Sequence, residues 1–242
     1  MTAPAELAAL VRRRIAAVAD PAKAPGMQAY MKSAMPYRGV TSVPLRRVLR
    51  ETFDEHRLDD EGSWHDTVRL LWDGAAFREE RYAATTLAGH RLYREHQQPH
   101  TLDLHRDLIV DGAWWDHVDD IATHLVRGIL LGHREAVTPV LAAWACEDDM
   151  WLRRASIICQ VSLRGDLDRR LLVHAIDANL DGSTRSAPAE STYGREFFIR
   201  KAIGWALRDH FRTDPDWVRE FVAERGPRLS GLSRREALKH DR

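Results

Sequence analysis

The stretch EFFIRKAIGWALR (196–208) decides how the rest of the chain is read. It contains no proline and only Gly204 to weaken it, so it reads as a helix. At 3.6 residues per turn, Lys201, Trp205 and Arg208 fall at i, i+4 and i+7 and share one face. Ile199, Ile203 and Ala206 gather on the opposite face and offer it an apolar surface for packing. Two readings fit that pattern. A flat aromatic flanked by cations is a face for a polyanion, and a buried Trp with two snorkelling neighbours is a piece of core.

Outward from that segment, helical periodicity recurs along the chain and no strand pattern competes with it. The opening stretch from Glu6 to Val18 carries an apolar stripe of Leu7, Leu10, Val11, Ile15 and Val18. Pro25-Gly26 breaks the chain before a short helix through Tyr30 and Ala34. Residues 35–42 read as a loop, with Pro44 near the first turn of the next helix. Further helices are expected to start near Ser63, Ala75, Thr101, Ala113, Arg134, Asp148, Asp166, Arg195, Asp214 and Ser233. Of these, Ser63, Asp148, Asp214 and Ser233 are expected N-caps. Short helices joined by brief turns, with a period of about 35–45 residues, fit an all-α solenoid of HEAT-like antiparallel pairs with a concave face. The expected unit is one domain over residues 1–242. The polar stretch from Asp181 to Tyr193 reads as an exposed loop between the last two pairs.

Composition narrows the function classes. The 242 residues are 44% hydrophobic and 30% charged, as in a soluble globular protein. No apolar run approaches the roughly 20 residues of a membrane span, and the N-terminus lacks a signal-peptide order, so a cytoplasmic location is expected. Cys146 and Cys159 follow no metal or redox spacing. Arginines far outnumber lysines, which are Lys23, Lys32, Lys201 and Lys239 alone. The net charge is zero, so any nucleic-acid site must be a local patch. The first 120 residues carry 16 basic and 19 acidic side chains and the remainder 20 and 17, which favours the second half.

Two more segments concentrate chemistry. In WWDHVD (114–119), Trp115 and Asp119 are four apart and share a helix face, while Trp114 and Val118 point towards the core. In DMWLRRASI (149–157) and just beyond, Trp151, Ile158 and Ser162 repeat at helical spacing on an expected buried side, and Arg154 projects from its edge. Read singly, each of these is also an ordinary structural residue: an exposed acid, a half-buried indole, a solvated arginine. Walker loops, dinucleotide fingerprints, zinc-protease helices and nucleophile elbows are absent, and His90, His96, His100 and His105 lack a repeated ligand spacing.

Together, YMKSAMPYRGV (30–40), WWDHVD (114–119), WLRRASIICQ (151–160), FFIRKAIGWALRD (197–209) and LSRREALKH (232–240) resemble the bacterial DNA alkylation repair enzyme family, the AlkD-type 3-methyladenine DNA glycosylases. The segments occur in the family's order and span most of the chain. The resemblance implies a HEAT-like solenoid cradling duplex DNA. The implied activity is hydrolysis of the N-glycosidic bond of cationic N3- and N7-alkylated purines, such as 3-methyladenine and 7-methylguanine, in base excision repair. Matched motif by motif, the catalytic carboxylate falls on Asp119 and the sugar-contacting indoles on Trp115 and Trp205. The backbone-binding arginine falls on Arg154, and Arg208 on a further basic position of the groove. Lys201 is assigned a phosphate contact, and Thr41 and Ser42 lie nearest the polar residue that enters the minor groove. The family contacts the sugar and backbone and leaves the base in the duplex. No metal, nucleotide cofactor or lyase lysine is implied, and a monomer on DNA is expected. The Asp181–Tyr193 stretch is longer than the family's usual turn.

Three classes compete: a monofunctional alkylpurine glycosylase, a catalytically silent solenoid that binds damaged or branched DNA, and a protein-interaction scaffold. Asp119, Trp115 and Trp205 occurring together favour the enzyme.

Overall fold

Apolar periodicity becomes helix wherever the sequence offers it. The computed structural model describes residues 2–180 and 193–241, and among these there are α-helices, 3-10 turns and one π-helical run but no strand. The stretch Asp181–Thr192, most of the loop expected from the sequence, lies outside the described residues. The chain groups into two compact units, Met1–His96 and Gln97–Arg242.

The first unit contains α1 (Pro4–Ala17), α2 (Ala24–Met31), α3 (Ser42–Glu55), α4 (Glu61–Asp73) and α5 (Arg78–Ala88), followed by a 3-10 run over Arg91–His96. Leu7, Val11 and Ile15 of the opening stripe are fully buried, while Val18 stays exposed because α1 ends at Ala17. They pack with Leu49, Phe53, Trp64, Val68 and Leu71 in one core. The buried indole of Trp64 donates to the Leu87 carbonyl at 3.2 Å, which removes the cost of an unpaired N–H there. The loop before α3 is organised by Glu79, a fully buried carboxylate that accepts from the backbone N–H groups of Arg38, Gly39 and Val40 at 2.9–3.1 Å. Gly39 is required in that loop: its φ is +83°, and a Cβ there would lie 1.9 Å from the Asp20 carbonyl oxygen.

The second unit contains α6 (Leu102–Gly112), α7 (Trp115–Asp120), α8 (Arg127–Gly132), α9 (Arg134–Trp144), α10 (Met150–Ile158), α11 (Arg169–Leu180), α12 (Phe197–Phe211), α13 (Pro215–Arg225) and α14 (Gly231–Ala237). Its core includes Leu108, Ile109, Val118, Ile129, Leu141, Leu152, Ile157, Ile158, Ile199 and Leu207. Helix α10 lies at its centre, in contact with α6, α7, α9, α11 and α12.

Helix starts fall within a few residues of expectation, but the caps differ. Asp214 caps α13 by accepting from Trp217 N–H, as expected. The other three caps are Asp60, Asp149 and Ser230 in place of Ser63, Asp148 and Ser233. At α4 and α14, the expected Ser lies in the first turn and gives its backbone N–H to a capping side chain three residues earlier.

Candidate functional site

The site grows from a sharp restart of the chain. Ala113, with φ of +32°, ends α6 in the left-handed region, and Trp114 is extended, so α7 begins at Trp115 in a new direction. Trp115 and Asp119 then lie one turn apart on a half-buried face, while Val118 is fully buried on the core side. Directly after α7 the helix widens into a π-helical run, Ile121–Val126, before α8 resumes. Thr123 of that run donates its hydroxyl to the Asp119 carbonyl at 2.7 Å. Ile121, Ala122, Thr123, Leu125 and Val126 of the run are buried.

Helix α10 supplies the partner. Its N-cap Asp149 accepts from the N–H groups of Trp151 and Leu152 at 2.9 and 2.8 Å and fixes the helix start. Every residue from Trp151 to Ile158 is buried, including both arginines. About 100° of helix rotation separates Arg153 from Arg154 and sends them apart. Arg153 serves structure: it donates to the Asn179 side chain at 3.3 Å and its guanidinium lies 4.3 Å from the Tyr193 ring centre. Arg154 reaches the other way. Its Nε and Nη2 donate to Oδ1 and Oδ2 of Asp119, both at 2.7 Å, and its Nη1 donates to the Phe198 carbonyl at 2.6 Å. The arginine expected to project from an edge is thus only 5% exposed and ties α7 to α12.

That fork fixes the carboxylate's orientation and leaves two of the five guanidinium N–H bonds unspent. The Asp119 side chain retains 19% of its exposure, so one flank of the pair is open to solvent. Burial pushes the Asp119 carboxyl above the usual carboxylate value. The Arg154 hydrogen bonds pull against that rise, and Asp116 and Asp120 add to it. Among the described residues no group of three or more His, Cys, Asp or Glu side chains is placed to hold a metal ion.

Helix α12 carries the third part. Ile199, Ala202, Ile203, Ala206 and Leu207 are buried, and Lys201, Trp205 and Arg208 form a half-exposed stripe. Trp205 itself is half-buried. The cations beside it are not free. Glu236 of α14 pairs with Lys201 at 3.4 Å and with Arg208. Phe198, one turn before Lys201, packs its ring against Trp114 and Trp151 and so braces the helix that Arg154 grips.

Asp119 and Arg154 therefore meet directly, Trp115 shares the Asp119 face, and Lys201, Trp205 and Arg208 share the next helix that Arg154 touches. Thr41 and Ser42 belong to the first unit, exposed at the N-terminus of α3, where no side chain caps the helix. Sequence reasoning did not single out Glu236, Thr123 or the Phe198 carbonyl. Only Glu236 had a signal, as the sole acid between residues 226 and 240.

The sequence pattern of the DNA alkylation repair enzymes matches residues 11–240. A solved structure of a predicted DNA alkylation repair enzyme from Enterococcus faecalis superposes with a TM-score of 0.78 at 25% identity, over 92% of this chain and 96% of that one. No curated protein matches significantly in sequence. The helical repeat fold is thus shared with such a protein over nearly its whole length, and the chain belongs to the DNA alkylation repair enzyme family.

Proposed function

We propose that this repair enzyme is a monofunctional DNA glycosylase that releases cationic N3- and N7-alkylated purines from duplex DNA, with residues 1–242 acting as one domain. The observation that supports this most is the Asp119 carboxylate: oriented by a bidentate arginine, open on one flank, and on the same helix face as an indole.

Alkylation at N3 or N7 makes the purine a cation, so the base leaves neutral when the C1′–N9 bond breaks and its electron pair moves onto the ring. The sugar gains oxocarbenium character. Asp119 stabilises that charge as it develops and orients the water that adds to C1′, and the water's proton passes to solvent. The help is electrostatic, aimed at the transition state by a group already in place. Trp115 and Trp205 offer their electron-rich faces to the same cationic sugar, at ~0.5–2 kcal/mol per ring. Arg154, through its unspent N–H bonds, and Arg208 and Lys201 contact phosphates and set register without reading sequence. Thr41 and Ser42 meet the minor groove. The lesion stays in the duplex, so substrate choice follows the lability of the glycosidic bond.

The product distinguishes this reaction from its neighbours. Duplex DNA treated with a methylating agent should yield free 3-methyladenine and 7-methylguanine, with the abasic strands intact until alkali cleaves them. Strand nicking without alkali would show a lyase and contradict the monofunctional assignment. Duplex binding without base release would show a silent binding module.

A further inference from the structure

The segment LSRREALKH (232–240) is one of the five that together carry the family resemblance, yet the proposed chemistry uses none of it. Most of it folds into α14, which packs on α12 more extensively than any other helix does. Two features bring the helices close. Ser233 donates to the Arg200 carbonyl at 2.9 Å, and at Gly204 the backbone of α12 lies bare against α14. A Cβ at Gly204 would lie 2.6 Å from the Cβ of Glu236 and 3.3 Å from the Ser233 carbonyl oxygen, so only glycine permits this approach. Gly204 has Lys201 three residues before it and Arg208 four residues after it, its neighbours on the helix surface. A carboxylate standing over Gly204 therefore reaches both, and Glu236 does so with one oxygen to each.

We propose that Glu236 is a positioning residue that holds Lys201 and Arg208 on either side of Trp205 in the free protein and yields them to DNA phosphates on binding. The proposal rests on the glycosylase reading for the identity of the polyanion. Its chemistry is an exchange of one anion for others. The two cations are about two turns apart along the helix, and each keeps its side chain partly exposed, at 38% for Lys201 and 25% for Arg208, so a phosphate can approach both. Glu236 is itself 20% exposed and is surrounded on its own helix by the exposed Arg234 and Arg235, with no second acid in residues 226–240. Two consequences follow. The cations are pre-set in geometry, and they carry a resident competitor that weakens their grip on DNA with no lesion to hold it.

The test is equilibrium binding of an undamaged, fluorescently labelled duplex over a series of salt concentrations, which needs no excision. Glu236→Gln keeps the side chain's shape and removes its charge. It should bind roughly tenfold more tightly at low salt, the scale of losing two partly exposed ion pairs, with a salt slope steeper by about one. Glu236→Asp should behave as wild type. In a Lys201→Ala/Arg208→Ala background the Glu236→Gln gain should vanish, because the exchange needs both partners. Unchanged affinity and slope in Glu236→Gln would overturn the proposal and leave the glycosylase reading, judged by base release, untouched. A gain that persists without Lys201 and Arg208 would overturn it as well, by reducing the effect to net charge. A merely structural role predicts looser binding in Glu236→Gln, with no change in slope.

Discussion

At the scale of the residue, the Arg154–Asp119 pair both orients the carboxylate and holds its pKa down against burial. Removing either partner leaves a buried or half-buried group without its charge complement, which costs about 3–5 kcal/mol when burial is complete and less where a flank is open. Asp119→Asn leaves Arg154 one acceptor, Oδ1, and turns an NH2 donor towards its other N–H, so it should cost roughly 1–3 kcal/mol of stability, yet reduce excision by on the order of 100-fold or more. Denaturant titration and single-turnover base release check the two numbers separately. Arg154→Ala should lower excision for a different reason. Asp119 then keeps its burial and its acidic neighbours but loses the hydrogen bonds that hold its carboxyl down, so the acid limb of the pH–rate profile should move to higher pH than in wild type. In wild type that limb should already lie above the ordinary aspartate value of 3.8, because burial outweighs Arg154. A limb at the same pH in both proteins would show that Arg154 does not tune Asp119. The sequence pointed to both residues through their motifs. It did not show that they touch, because the pairing spans 35 residues and exists only once α7 and α10 are packed.

At the scale of the element, the helices were legible and their joints were not. The α12 stripe of Lys201, Trp205 and Arg208 follows from spacing alone, and so does the burial of Ile199, Ile203 and Ala206 behind it. The π-helical run after Asp120 carries no such signature, since its register is set by which residues α7 and α8 must bury. Gly204 looked like a weak point in a helix and is instead the contact point of α12 with α14. Gly204→Ala, which on helix propensity alone would stabilise by ~1 kcal/mol, should therefore destabilise by roughly 1–3 kcal/mol through forced separation of the two helices. It should also loosen the Glu236 pairs. Gly39→Ala makes the same argument in the first unit, where a left-handed φ and a backbone carbonyl in the way should together cost roughly 2–4 kcal/mol. Thermal or denaturant unfolding reads both, and a stabilised Gly204→Ala would refute the close approach.

At the scale of the whole molecule, zero net charge and a local cationic stripe mean that DNA affinity should depend on few contacts and fall with salt. Stability should depend on pH through buried histidines. His105 is fully buried with its Nδ1 unpaired, and burial lowers its pKa from 6.5 to about 3; burial lowers His90 and His210 too. The folded state therefore resists a proton that the unfolded chain accepts. Stability from this source is full above pH 6.5 and is lost as pH falls from there towards 3, at up to about 1.4 kcal/mol per unit for His105. His105→Leu should flatten the acid side of the stability curve, and an unchanged curve would mean that other groups dominate acid unfolding. Rates for the Asp119 limb thus belong to the pH range where unfolding is excluded. The all-helical architecture and the family were both legible in the sequence, because periodic burial and a set of short motifs are local properties. The ion pairs that animate the motifs are long-range and were not.

The measurement that bears most directly on the role of Asp119 is release of free base from a duplex carrying a single 7-methylguanine, with wild type and Asp119→Asn side by side at equal DNA occupancy. Wild type should release the base and Asp119→Asn should lose that release almost completely, with duplex binding retained. Normal excision by Asp119→Asn would contradict that role, and so would salt-dependent binding by wild type with no base released.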